Sequence, residues 1–424
     1  MKRSISVALV AVLYLPLASA NTLFHSAQFR GYFDSGLAFG QGAQGALDAG
    51  AGKLRFGQGS GASYIRANIS EAHLIGSISA GSTVKGLVDI KFDDEQRHAL
   101  DIAELHLTWR TPTSETGRRW RFRVGSFLPP FSLENHAIAW SSPYTLSSSS
   151  LNTWIGEEVR INGIDVQLSQ RYGSWDFQIQ GATYLGNDAA GTLLGFRGFA
   201  IHDRELALFD SERIPRFQAL LNLPPSPFAD QSPRFEPLHE IDGRLGYYLG
   251  AGVERNKKHR IVAYYYDNRG DPDALNRTAG QYAWRTRFVV IGLRSQLAGR
   301  VRWISQVMVG ETIMGPKFPN GGPHAFDTGF LSAYSMLHKR FGKLGLTLKG
   351  EYFETSDNDL MKGPADSTEH GYALTGALTY RMTPRLKLYL ESQYTEHDRP
   401  VRAFSRFEKQ IDEWLIRANL RVFF

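Results

Sequence analysis

The chain has no cysteine. An exported protein of this sequence therefore carries no disulfide framework and must rely on burial, backbone pairing or a bound metal. Long apolar runs are missing too. After Leu17 the longest clean one, Phe288 to Leu293, is far too short to cross a bilayer as a helix, which needs about 18 residues or more. Charge of one sign is also scarce: 48 Lys and Arg against 42 Asp and Glu leave a formal +6. That mild balance gives no reason to expect a nucleic-acid partner. The hydrophobic fraction of 42% and mean hydropathy of −0.29 read as an ordinary soluble protein. A transmembrane barrel has the same signature, because it offers lipid only every second residue.

What is present starts at the amino end. Lys2 and Arg3 precede an apolar run from Ile5 to Leu17 and then Ala18-Ser19-Ala20. This is the order of a secretory signal peptide, so residues 1–20 are expected to be removed and residues 21–424 to form one domain.

Beyond that point the period is two. Leu105, Leu107 and Trp109 interleave with Glu104, His106 and Thr108, and Trp120, Phe122 and Val124 with Arg119, Arg121 and Arg123. Leu344, Leu346 and Leu348 alternate with Thr347 and Lys349, and Leu386, Leu388 and Leu390 with Lys387 and Glu391. No helical spacing is comparably sustained, so the expected fold class is all-β. Sixteen such segments are predicted, near 28–39, 63–72, 83–92, 101–110, 119–127, 160–170, 174–185, 240–253, 259–267, 282–294, 301–310, 326–337, 344–354, 371–381, 385–395 and 411–424. An even number suits a single-chain transmembrane antiparallel β-barrel.

The connections alternate in length. Short ones sit near Gly81, Gly173, Lys257, Gly299, Gly342 and Pro384, and long ones include 128–159 and 186–239. Short turns on the periplasmic rim and long loops outside are what an outer-membrane barrel has, and a soluble sandwich has no reason to sort its loops so. Aromatic residues recur at predicted strand ends, among them Phe39, Trp109, Trp120, Trp175, Tyr352, Tyr380 and Trp414, where rings with polar tips suit a membrane interface. The last segment sets Trp414, Ile416, Leu420, Val422 and Phe424 opposite Glu413, Arg417, Asn419 and Arg421. A lipid-facing strand of that kind closes the barrel without a free edge. Its terminal phenylalanine resembles the signature that the barrel-assembly machinery reads in bacterial outer-membrane proteins.

A barrel this wide leaves an aqueous bore unless something fills it, and no plug domain is expected ahead of the first strand. The segment that narrows it is expected at 128–159. Its start, with Gly125, Phe127, Pro130, Phe131, Leu133 and Glu134 following an arginine-bearing strand, resembles the phosphate- and polyphosphate-selective porin family of Gram-negative outer membranes. The resemblance implies a trimeric channel of sixteen strands whose third long loop folds inward, here carrying Phe131, Glu134, Trp140, Trp154, Glu157 and Glu158. The lysine clusters of the family's phosphate-binding members have few counterparts on these loops.

Parity assigns Arg30, Arg66, Lys85, Arg110, Arg119, Arg121, Arg123, Arg285, Arg287, Lys349, Arg417 and Arg421 to the inner face, where cations outnumber carboxylates. Arginine stays charged and offers a rigid fork of donors to phosphate or carboxylate, so such a line favours anions. The triplet Arg119, Arg121, Arg123 is the sharpest signal, expected near the narrowest point. The alternative is an ordinary wet wall balanced by Glu134, Glu157 and Glu158. Asp267, Asp271 and Asp273 form a weak calcium candidate that is first of all a turn. His202, Asp203 and Glu205 sit in the longest loop, where isolated histidines are usually solvated. Neither an HExxH nor a G-x-S-x-G pattern occurs. The expected function is passive diffusion of small hydrophilic solutes, anions above all, without a cofactor. A barrel hydrolase and a surface receptor or adhesin remain the alternatives.

Overall fold

The computed structural model describes residues 26–59, 62–215, 230–360, 366–405 and 408–424. The expected leader and the "LPPSPF" stretch at 223–228 lie outside the described residues.

Sixteen strands close into one antiparallel barrel. They are β1 (Ser26–Gln41), β2 (Tyr64–Ala80), β3 (Val84–Phe92), β4 (Leu100–Arg110), β5 (Arg118–Phe127), β6 (Ile161–Tyr172), β7 (Trp175–Leu185) and β8 (Gly246–Arg255). The second half is β9 (His259–Asp267), β10 (Arg285–Gln296), β11 (Arg302–Lys317), β12 (His324–Phe341), β13 (Leu344–Asp357), β14 (Glu369–Thr383), β15 (Leu386–Asp398) and β16 (Gln410–Phe423). Neighbours in sequence are neighbours in the sheet, and β16 returns to β1 from Gln41↔Trp414 to Tyr32↔Phe423. Gly31 and Phe424 complete the seam by exchanging backbone bonds of 3.0 and 3.2 Å. No edge is left for lipid to strip of hydrogen bonds.

Alternation explains the walls. On β16, Glu413, Leu415, Arg417, Asn419 and Arg421 are buried while Ile416, Leu420 and Val422 are exposed. Leu346, Leu348, Leu374, Leu378 and Leu390 continue the outer band, and hydrocarbon is the solvent that makes such exposure favourable. Phe39 against Trp414 and Trp109 against Phe122, each pair with ring centroids 5.0 Å apart, are parts of aromatic belts at opposite ends of the strands. The tight turns are on one rim, as at Gly173 (φ 57°) and at Asn256-Lys257 (φ 55° and 57°). These left-handed positions fit hairpins whose strands twist to the right.

Three predicted segments differ most: the one expected at 63–72 runs on to Ala80, the one at 301–310 runs on to Lys317, and the one at 240–253 begins only at Gly246. Ahead of Gly246, the amides of Ile241 and Asp242 donate to Asp188, and Gly243 turns at φ 74°. That local bonding competes with ladder pairing.

The described parts of three outer loops, the first (L1, 42–63), third (L3, 128–160) and fourth (L4, 186–245), fold into the lumen and pack against its wall. L3 carries a helix, α1 (Ser150–Glu158), capped by the Ser149 side chain accepting from the Asn152 amide. Every residue of α1 is buried, and so is every residue of a shorter helix in L4, α2 (Thr192–Arg197). β4 also rises above its last partner on β5, Leu105↔Ser126. There the amide of Leu208 in L4 donates to the Ile102 carbonyl at 2.9 Å and substitutes for a neighbouring strand.

Candidate functional site

The lumen has two parts. Near the periplasmic rim the inward cations stand in a wet vestibule. Arg30, Arg110 and Arg119 are exposed, Lys85 is half-buried, and among the described residues none of the four forms an ion pair. Arg110 lies directly opposite Arg121 across the β4–β5 ladder. Arg121 reaches Asp165 at 3.1 Å, and Arg123, 3.8 Å from the same carboxylate, stacks on Phe127 with its guanidinium carbon 3.6 Å from the ring centroid. Asp165 on the next strand, and not the carboxylates of L3, is therefore the counter-charge. The triplet lines the vestibule wall instead of the narrowest point, because L3 leaves β5 and crosses to the far side.

It is held there by buried polar bonds. Gln306 on β11 accepts from the Leu133 amide (2.8 Å) and donates to the Phe131 carbonyl (2.7 Å). Lys349 on β13 donates to Glu134 at 2.9 Å, and Glu351 accepts from the Ser150 amide at 2.7 Å. On β15, Glu391 accepts from the Leu146 amide (2.6 Å) and Lys387 donates to the Pro143 carbonyl (2.7 Å). Between these ties sits an apolar core. Phe131 packs against Tyr248, Tyr264, Tyr266 and Phe288, and Trp154 against Phe288 and Phe330.

L4 is tied in by charge. Asp203 receives Arg55 of L1 at 2.7 Å and Arg417 of β16 at 2.8 Å, and Arg417 also reaches Glu391 at 2.9 Å. Arg204 meets Asp210 (2.7 Å), Glu212 (3.3 Å) and Asp93 (3.8 Å). Glu157 binds Arg197 at 2.5 Å and His202 at 2.8 Å. His202 is thus a buried strut and not a solvated loop residue, and burial holds its imidazole below the usual range. Glu158 accepts from the Trp154 indole and from the Leu193 amide, and burial raises its carboxyl to about 8.

Several expected positions are corrected by this packing. Lys349, Arg417 and Arg421 point inward but are only 2, 1 and 3% exposed, so they brace loops instead of lining open water. Arg421 is paired with Asp34 at 2.7 Å. Arg66 is half-exposed near the outer rim, paired with Glu95 and stacked over Phe56. On β10 the side facing in is Thr286, Phe288 and Val290, all buried. Arg287 faces out, bonded to Glu311, and Arg285 shares that side and meets Asp267 at 3.3 Å. Parity fails there because the lumen at that height is an apolar core.

Asp267, Asp271 and Asp273 do not converge as a calcium site. Asp267 is taken by Arg285, Asp271 by Arg244 at 2.6 Å, and the Asp273 amide donates to Asp271 within a turn. Among the described residues the acids close enough to share an ion are Asp188, Glu240 and Asp242, whose oxygens already accept backbone amides.

Among the described residues, L3, L4 and the wall enclose a small cleft of about 10 Å³, or roughly one water molecule. Glu71 and Arg421 of the wall, Asp203 and Glu205 of L4, and Trp140, Ser142, Leu146 and Ser148 of L3 line it. Sequence pattern singled out Trp140 and Arg421 but missed Glu71. The missed signal is its company: Glu71, His73, Asp89 and Lys91 place four ionisable groups on the inner faces of adjacent strands.

A closed sixteen-stranded barrel with an apolar outer band and loops folded into its lumen is an outer-membrane β-barrel of the porin fold. No family model matches the chain, and no curated protein matches it. Solved structures do. The outer membrane channel DcaP of Acinetobacter baumannii superposes with a TM-score of 0.53 at 12% identity, covering 94% of this chain and 97% of that one. An anion-selective porin from Comamonas acidovorans (TM-score 0.51, 11% identity, 94% and 99% covered) is also similar. So is a loop L8 deletion mutant of OmpT, an outer membrane protein of Vibrio cholerae (0.51, 10%, 94% and 99%). At these identities the likeness is one of fold.

Proposed function

We propose that the protein is an outer-membrane channel through which small hydrophilic solutes diffuse, and that its vestibule favours anions such as phosphate-like ions or carboxylates. The observation that carries this reading is the group of inward cations without counter-charge, Arg30, Lys85, Arg110 and Arg119. Fixed charges of one sign at a mouth with low-dielectric walls concentrate the opposite ion. Two similar folds, one called a channel and one an anion-selective porin, support it. The resemblance around Gly125 to Glu134 points further, to the phosphate-selective porins, and with it to a homotrimer delivered to the outer membrane by the barrel-assembly machinery.

The test is reconstitution in a planar bilayer, with conductance and reversal potential recorded across gradients of potassium chloride, phosphate and acetate. An anion-directed reversal potential is expected, moving toward cations when Arg119, Arg121 and Arg123 become glutamine together. An insulating protein, or a reversal potential that ignores the triple replacement, overturns the reading.

A further inference from the structure

Charge is unevenly spread around the periplasmic rim. On the first half of the barrel the hairpins are close to neutral. The β2–β3 turn carries no charge, Glu115 accompanies Arg118 in the β4–β5 connection, and Arg171 is paired with Asp176 at 3.1 Å beside the β6–β7 turn. Three consecutive hairpins of the second half differ. Arg300 stands on the β10–β11 turn, Lys339 and Lys343 flank the β12–β13 turn, and Arg385 stands on the β14–β15 turn. No acidic residue occurs in 294–302, 336–346 or 379–388.

These cations form one continuous arc. A Cβ at Gly299 would sit 3.6 Å from the Lys339 ammonium, so that side chain reaches the turn that bears Arg300. On the other side Lys343 donates to the Met382 carbonyl at 3.3 Å and accepts from the Arg381 amide at 3.0 Å, which sets it against the hairpin of Arg385. Among the described residues none of the four forms an ion pair. Like charges held this near one another repel unless an anion from outside joins them.

The arc also lies at the edge of the lipid-facing wall. Leu297, Phe341, Leu344 and Met382 on the same hairpins are all exposed, and the Lys339 ammonium is 5.1 Å from the centroid of the Phe341 ring. A greasy surface ending in cations marks the level where hydrocarbon gives way to headgroups. At the opposite ends of β13 and β15 the outward groups are acidic, Glu354 bonded to Tyr352 at 2.7 Å and Glu396 bonded to Tyr372. The basic character of these strands is therefore confined to one leaflet.

We propose that the arc of Arg300, Lys339, Lys343 and Arg385 binds the phosphodiester headgroup of an anionic phospholipid in the periplasmic leaflet, with the acyl chains against Leu297, Phe341 and Leu344. Ammonium and guanidinium groups donate to the phosphate oxygens, and the chains keep the headgroup within reach. A zwitterionic lipid brings an ammonium of its own and gains less. The site is on the outer surface and is independent of what crosses the lumen.

The experiment is native mass spectrometry of the full-length protein in detergent with equimolar phosphatidylglycerol and phosphatidylcholine of identical chains. Phosphatidylglycerol is expected to be retained in preference, and the preference to fall about fivefold with each of Lys339→Gln and Lys343→Gln. Arg118→Gln and Arg171→Gln remove the same charge from the first half of the rim and are expected to leave the preference unaltered. Equal retention of the two lipids, or a preference lost equally in both sets of variants, overturns the proposal. Displacement of phosphatidylglycerol by an equal concentration of inorganic phosphate overturns it too, since that marks a site for a free anion.

Discussion

The vestibule and the mid-lumen are built from the same alternating strands, yet charge does opposite work in them. In the vestibule, cations such as Arg119 and Arg110 remain wet and uncompensated. A few residues higher, Lys349, Arg417 and Arg421 are each committed to carboxylates and sealed from water. Exposed charge acts on passing solute through its field, whereas buried paired charge acts on the loops and fixes their position. Inward parity alone does not tell a selectivity residue from a strut; what the loop packs against it does.

That contrast can be broken most strongly at its sealed end. Replacing Asp203 by alanine leaves Arg55 and Arg417 buried without their shared partner, and a loss of about 3–5 kcal/mol of stability is expected in denaturant unfolding. Trp154→Ala, which empties the space between Phe288 and Phe330, is expected to cost a similar 3–5 kcal/mol or so in the same measurement. Arg119→Gln should change stability by no more than about 0.5 kcal/mol while still moving the reversal potential, because the residue is exposed and unpaired. The sealed end also gives stability a pH slope. The folded chain keeps the Glu158 proton up to about pH 8, whereas the ordinary carboxyl of the unfolded chain loses it near 4.5. The unfolded state therefore binds fewer protons across that window, and stability falls as pH rises through it. Glu158→Gln should flatten that part of the slope in melts between pH 5 and 8.

Most of the barrel was legible because its outer surface obeys a single solvent. Leu344, Leu346 and Leu348 face hydrocarbon, so an apolar residue at every second position marks a strand and its outward side. The inner surface obeys two. Beside the vestibule it meets water, and Arg110 and Arg119 stay on the side of their strands opposite the exposed Trp109 and Trp120. Beside L3 it meets protein, so Phe288 and Val290 turn inward and Arg287 outward against the expected pattern. Helix α1 was invisible for a related reason. A helix buried on all sides, with Ser, Asn and Glu satisfied by its surroundings, has no amphipathic stripe to read. Asp203 looked like a loop acid because its partners Arg55 and Arg417 are distant in sequence.

The ties between L3 and the far wall bear on how such a chain reaches its final form. Leu146 and Ser147 find their acceptor in Glu391, more than two hundred residues later, and Pro143 waits for Lys387. Until β15 arrives, the third loop has its ties to β11 and β13 but lacks those at Pro143, Leu146 and Ser147. Sealing the cylinder and seating its contents are then a single late event, and damage to β15 or β16 should be felt first in the loose interior and only afterwards at the membrane.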